Sequence, residues 1–212
     1  MKKIIAVDGP AGAGKSTVSK IVANRLGYTY IDTGAMYRAV ALKVLQSGES
    51  LSEELVSGIE IKLDEAARVF LDDREVTKEI RTPEVSRGAS DVATVGFVRK
   101  KLTELQREMA AKGSVIMDGR DIGTQVLPNA DLKIFLTASV EERARRRLEE
   151  LKPKGIAADF AQVVKEISLR DKQDSEREIA PLAQAEDAIL LDSTSLTIEQ
   201  VVEEILRLAE KD

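Results

Sequence analysis

The sequence predicts an α/β chain in which a parallel sheet is covered by helices on both faces. Three observations lead there. Short apolar runs recur along the chain, longer amphipathic stretches separate them, and the first run leads straight into a glycine-rich turn that opens a helix. The runs Ile4 to Val7, Thr29 to Ile31, Val115 to Met117, Leu132 to Leu136 and Ala188 to Leu191 have the length of buried strands, and most end at Asp or Thr. Between them Lys15 to Leu26, Ala35 to Gln46, Val98 to Ala111, Val140 to Leu151, Phe160 to Arg170 and Ile198 to Leu208 carry apolar residues three and four apart, the spacing of helices packed on a sheet.

Two segments break this rhythm. Ile59 to Val76 holds two β-like patches, Ile59 to Leu63 and Arg68 to Leu71, followed by the turn-prone pair Asp72-Asp73, and reads as a small antiparallel insertion. Lys152 to Asp159 places Pro153 and Gly155 between charged helices, which suits a mobile loop that forms part of a lid. A chain of 212 residues with 43% hydrophobic content supports one principal domain with an insertion. The net charge of -5 argues against a coat for nucleic acid or an anionic membrane, so any arginine cluster serves a local purpose. Cysteine and histidine are both absent, which removes disulfides, thiolate nucleophiles and imidazole acid–base chemistry and leaves Lys, Arg, Asp, Glu, Ser and Thr to act. Met1 to Asp8 is too short for a signal peptide or a membrane span, and the expected location is the cytoplasm.

Gly9-Pro10-Ala11-Gly12-Ala13-Gly14-Lys15-Ser16 sets two glycines around four residues, then a lysine and a hydroxyl, between an expected strand and an expected helix. Glycines let successive backbone N–H groups turn inward around phosphate oxygens, and the following helix adds its positive end. In such a loop Lys15 reaches the β- and γ-phosphates, the Ser16 hydroxyl ligates the magnesium that bridges them, and Thr17 completes the cradle. The loop signals a nucleotide triphosphate without yet signalling a kinase.

A second set of residues follows the later strands. Asp32-Thr33-Gly34-Ala35-Met36-Tyr37-Arg38 puts Thr33 at a helix start and Arg38 about a turn further on, facing the crevice at the strands' carboxyl ends, although an N-cap beside a solvated arginine would give the same pattern. Val115-Ile116-Met117 runs into Asp118-Gly119-Arg120-Asp121-Ile122-Gly123, so two carboxylates and an arginine sit just beyond a buried strand; a carboxylate there can hold magnesium waters, and Arg120 can neutralise phosphate. Arg170, Asp174 and Arg177 share one face if the helix continues that far, either as a salt-bridged surface or as cations that close over a transferring phosphoryl group. The run Arg143 to Arg147 projects charge around most of a helix and reads mainly as a solvated face, with Arg143 or Arg147 as candidates for the adenine side.

Taken together these residues resemble the bacterial cytidylate kinases, within the nucleoside monophosphate (NMP) kinases. The resemblance runs from the phosphate loop through Asp32-Thr33-Gly34 with Tyr37-Arg38, Glu79-Ile80-Arg81-Thr82 with Val85, Ser90, Val98-Arg99, Asp118-Gly119-Arg120-Asp121, Arg170-Asp171 and Asp192-Ser193-Thr194 to the final helix, and so covers essentially the whole chain. It implies an α/β, P-loop NMP-kinase-like three-layer fold with a parallel five-stranded sheet, a small mainly β insertion in the NMP-binding region, and a helical lid. The regions are then a core at about 1–32, 95–150 and 178–212, an NMP-binding region at about 33–94 and a lid at about 151–177. It further implies that Ser90, Arg99 and Asp121 read the cytosine, that Arg38, Arg120 and Arg177 hold the acceptor phosphate, and that Arg170 and Asp174 approach the sugar. Lys15, Arg120, Arg170 and Arg177 are the expected catalytic cations, the loop from Gly9 to Thr17 the expected ATP site, and Thr33 a further acceptor-side hydroxyl where some members carry serine. Mg²⁺ enters with ATP, and the protein is expected to work as a monomer. The readings that compete are a kinase for UMP or for a small molecule such as shikimate or gluconate, a nucleotide-hydrolysing switch, and a nucleic-acid-handling ATPase. An aromatic content of 3% speaks against the last.

Overall fold

The five apolar runs form strands and the six amphipathic stretches form helices. In chain order the elements are β1 (Ile4–Asp8), α1 (Lys15–Leu26), β2 (Thr29–Asp32), α2 (Thr33–Ser47), α3 (Glu53–Ser57), β3 (Ile61–Leu63), β4 (Val69–Leu71), β5 (Arg74–Glu75), α4 (Pro83–Val92), α5 (Gly96–Ala110), β6 (Val115–Gly119), β7 (Leu132–Thr137), α6 (Val140–Leu151), α7 (Phe160–Glu176), β8 (Ile189–Asp192) and α8 (Ile198–Glu210). This computed structural model describes residues 3–64, 66–155 and 157–210; Glu65 of the expected insertion and Ile156 of the expected lid lie outside the described residues.

The main sheet has the order β2-β6-β1-β7-β8, and all its pairings are parallel. Successive side chains of a strand point to opposite faces, and β1 shows the consequence. Ile5 and Val7 pack with Val18, Val22, Val202 and Ile205 of α1 and α8, while Ala6 faces the other layer with Met36, Val98 and Leu102 of α2 and α5. Both faces of the central strands are therefore buried, which explains why β1 and β6 are near-continuous apolar runs rather than alternating ones, whereas Ile189 and Leu190 of the edge strand β8 stay exposed. The register brings three acidic strand ends together at the carboxyl edge: Asp8 lies beside Gly119, and Asp118 beside Asp32.

The insertion is a three-stranded antiparallel sheet of order β3-β4-β5. Asp72 and Asp73 both take positive φ, 48° and 65°, the backbone of a tight two-residue hairpin. Its Ile61, Val69 and Leu71 join the same apolar cluster as Ala35, Met36 and Val40 of α2, so the insertion extends the core.

The sequence showed no helix at α4, yet Thr82 caps it, its hydroxyl accepting from Val85 N at 3.3 Å, and Pro83 occupies its first turn. Gly88 masks the periodicity. A Cβ there would come within 3.3 Å of Ala41 Cβ, so a missing side chain lets α4 cross α2 closely. Helix α7 runs on to Glu176, beyond the expected end at Arg170, and packs on α6 through Ala144, Val163 and Ile167, a small cluster separate from the two main ones.

Candidate active site

The chain leaves β1 through three glycines whose backbone no other residue adopts easily. Gly9 has φ 146°, and a Cβ on it would lie 1.9 Å from the Leu136 carbonyl oxygen; Gly12 and Gly14 have φ 77° and 93°. Lys15 is buried at the start of α1 and donates to the Pro10 carbonyl at 2.8 Å. Burial, helped by the neighbouring Arg120 charge, pulls its ammonium down to about 7. Ser16 donates from Oγ to Asp118 Oδ2 at 2.9 Å, and Thr17 is exposed beside it.

Asp118 organises the crevice. Its carboxylate also accepts from the Tyr30 hydroxyl at 2.9 Å, and its backbone carbonyl accepts from Thr33 Oγ1 at 2.6 Å. Burial and the nearby Asp32 raise its carboxyl to about 6. The N-cap of α2 is Asp32, with Oδ1 accepting from Ala35 N at 2.8 Å; Thr33 is the first helical residue and its hydroxyl is committed to β6. Arg38 pairs with Asp32 at 3.0 Å and is not the solvated arginine that the sequence also allowed.

Across the crevice lie the remaining expected residues. Arg99 and Arg177 both grip Asp121, the latter at 3.1 Å, and all three side chains are almost wholly buried. Burial raises the Asp121 carboxyl while the two guanidiniums oppose that rise. Arg99 also lies over the Tyr37 ring at 5.6 Å. Arg120 donates through Nε to Asp174 Oδ2 at 2.7 Å, joining the loop after β6 to α7. Arg170 and Asp174 stand on α7, whereas Arg177 is its C-cap, one step beyond the helix and in extended backbone. Burial and the charge of Arg120 lower the Arg170 guanidinium to about 10. Buried Nε atoms of Arg38 and Arg170 carry no hydrogen bond, and Ser90 is half-buried on α4.

The reading of Arg143 to Arg147 as mainly a solvated face holds for Arg145 and fails for Arg146, while Arg143, set apart as a candidate for the adenine side, lies against the phosphate loop. Arg143 is buried, donating to the Ala138 carbonyl, to the Ala11 carbonyl at 3.0 Å and to both carboxylate oxygens of Asp171. Arg146 holds the Ala13 carbonyl at 3.3 Å and Ser193. Two arginines of α6 thus take up carbonyls of the phosphate loop, those of Ala11 and Ala13. Asp8, too, was missed. It accepts from Ile122 N and Gly123 N, and the one sequence signal for it was a charge closing an apolar strand.

A phosphate loop that faces a second cluster of buried guanidiniums across one crevice places this chain among the small P-loop kinases. The fold agrees: the shikimate kinase of Bacteroides thetaiotaomicron matches it with a TM-score of 0.51 over 99% of both chains, at 15% identity, a likeness of fold alone. The family is narrower than the fold. The family model for cytidylate kinase matches residues 5–211. A cytidylate kinase of Caldicellulosiruptor bescii is 58% identical over 98% of this chain and 96% of its own, and one of Exiguobacterium sp. (strain ATCC BAA-1283 / AT1b) is 56% identical over the same shares. The chain belongs to the cytidylate kinase family.

Proposed function

We propose that the protein transfers the γ-phosphoryl group of ATP directly, in line, to a phosphate oxygen of CMP or dCMP, giving ADP and CDP or dCDP. The observation that carries this reading is the pair of buried, unpartnered guanidinium nitrogens on Arg38 and Arg170, among cations otherwise held by Asp32, Asp121 and Asp174. Burial, with the charge of Arg120 second, depresses both Lys15 and Arg170, and the free nitrogens of Arg38 and Arg170 are left for two phosphate-bearing substrates to complete. The bond from the bridging oxygen to the γ-phosphorus breaks as the bond from the acceptor oxygen forms. That acceptor oxygen is already anionic, so no strong general base is required, in keeping with a chain that has no histidine.

In this reading the loop from Gly9 to Thr17 holds ATP. Lys15 stabilises the charge that develops on the β- and γ-phosphates, Arg38, Arg120 and Arg177 hold the acceptor phosphate, and Arg170 and Asp174 approach the sugar while Arg170 also faces the transferring group. Ser90, Arg99 and Asp121 read cytosine: a carboxylate accepts from its amino group, and arginine and serine donate to its ring nitrogen and carbonyl. Uracil would set a carbonyl against Asp121 and leave buried charge unpaired. Thr33 acts through the Asp118 carbonyl it anchors.

Mg²⁺ fits the donor set. Among the described residues no group of three or more His, Cys, Asp or Glu side chains could hold a metal by itself. The Ser16 hydroxyl beside the Asp118 carboxylate does offer hard oxygens, and Mg²⁺ is commonly held by one or two protein oxygens, waters and phosphates. Ser16, with Asp118 behind it, would hold Mg²⁺ when it enters with ATP, and the ion would supply positive charge against the charge that develops on the phosphates.

In the same reading the chain divides into core, NMP-binding region and lid, with α7 of the lid resting on α6 of the core through a small apolar cluster. The molecule works in the cytoplasm as a monomer, since one chain supplies every residue assigned above. Among the described residues no helix is long and apolar enough to cross a membrane. Product analysis tests the reaction: ATP labelled in the γ-phosphate should yield CDP labelled in its β-phosphate, one for each ADP. Labelled inorganic phosphate without CDP would instead indicate a hydrolase.

A further inference from the structure

Asp8 has no part in the transfer, yet it is a buried carboxylate at the end of the central strand. Burying a carboxylate is costly unless its oxygens are paired, and an apolar residue would have continued Ile4 to Val7 without that cost. Its pairing is specific. Oδ1 accepts from Ile122 N at 2.8 Å and Oδ2 from Gly123 N at 2.7 Å. These two amides open the wide turn Ile122–Val126, where Gln125 N and Val126 N bond back to the Asp121 carbonyl and Leu127 N to that of Ile122. The first amides of such a turn have no partner within it, and Asp8 supplies one from another strand. The fit is close, for a Cβ on Gly123 would come within 3.1 Å of Lys133 Cδ and 3.4 Å of Asp8 Oδ2.

Asp121 directly precedes these amides, with φ −143° and ψ 26°, outside the helical and strand regions. Its carboxylate is fixed in front by Arg99 and Arg177, and its backbone from behind by Asp8. Asp8 in turn precedes Gly9, where the Leu136 carbonyl leaves no room for a side chain. We infer that Asp8 is a positioning residue for acceptor recognition: it sets the Asp121 carboxylate relative to the phosphate loop and thereby the choice of base. This rests on the proposal that Asp121 reads cytosine.

Asp8→Asn keeps the size and one acceptor oxygen but turns an NH2 group toward the second amide. Steady-state kinetics with CMP and UMP on the wild type, Asp8→Asn, Asp121→Asn and the double variant form a cycle. In Asp8→Asn the KM for CMP should rise by about tenfold and the CMP-over-UMP ratio of kcat/KM fall by about as much, with the KM for ATP changing by less than about threefold. In the Asp121→Asn background the same substitution should lower the ratio no further. A wild type without preference for CMP overturns the reading of Asp121 and this inference with it. A wild type that prefers CMP, beside an Asp8→Asn variant that prefers it equally, overturns this inference alone, even if that variant melts earlier. If Asp8→Asn does not fold, hydrogen exchange on the wild type decides. Coupling is reciprocal, so CMP should slow exchange at Ile122 and Gly123 more than UMP does at equal saturation, and equal slowing overturns the inference.

Discussion

Lys15 is a cation held where a cation is disfavoured. Its burial beside Arg120 makes an incoming polyphosphate the natural counter-charge, and charge placed in a low-dielectric site stabilises a transition state more than it would in water. Replacing it with Met should therefore lower kcat by about a hundredfold or more while the melting temperature stays close to that of the wild type. Near-normal turnover would remove Lys15 from its assigned role. Asp8 gives a second prediction, through pH. Burial pushes its carboxyl up to about 6, with Asp121 adding to the rise and the two amides and Lys15 opposing it. The folded value lies above the ordinary 3.8, so the stabilisation is complete below that value and is lost as pH climbs through 6. The unfolding free energy of the wild type minus that of Asp8→Asn should thus fall by up to about 3 kcal/mol between roughly pH 4 and pH 6.5, then level off. Denaturant titrations at several pH values measure it, and a flat or rising difference contradicts it. Lys15 and Ser16 were legible because a phosphate loop has a fixed local spacing. Asp8 was not, and Arg143 only as a candidate for the adenine side rather than as a support of the loop, because what holds them stands on other elements: Asp8 and Ile122 are 114 residues apart, Arg143 and Ala11 132.

At the scale of elements, α7 gathers much of the crevice chemistry on a helix that is only lightly attached. It meets α6 through one small apolar cluster and through the Arg143–Asp171 pair, and meets the core through Arg120–Asp174 and Arg177–Asp121. Such polar contacts can be remade when ligands arrive, whereas a packed core resists rearrangement. Binding ATP and CMP together should therefore slow hydrogen exchange across residues 151–177 more than in α1 or α8, and unchanged exchange there would argue against closure. The five core strands were readable to within a residue or two because each is a short apolar run bounded by turn residues, and the inner ones are buried on both faces. Helix α4 was not, since Gly88 blanks the very position where the helix touches α2. The continuation of α7 past Arg170 was readable only as a condition, because polar contacts carry its last turns and these leave no apolar period to read.

The whole molecule sets a net charge of -5 against a crevice crowded with arginines. That contrast was available from composition and motif alone: an acidic chain that concentrates guanidiniums beside a phosphate loop serves small anionic substrates. What composition could not supply was the arrangement. The order β2-β6-β1-β7-β8 brings Asp8, Asp32 and Asp118 to one edge, and Asp174 of α7 ties back to Arg120 just beyond it. The central claim is that this arrangement phosphorylates a cytosine monophosphate, and the most direct test is ADP release from Mg·ATP with CMP, dCMP, UMP, AMP, GMP, shikimate, gluconate or no acceptor. CMP and dCMP should drive turnover far above every other member of that panel; equal release without an acceptor, or with a non-nucleotide alone, would contradict the claim.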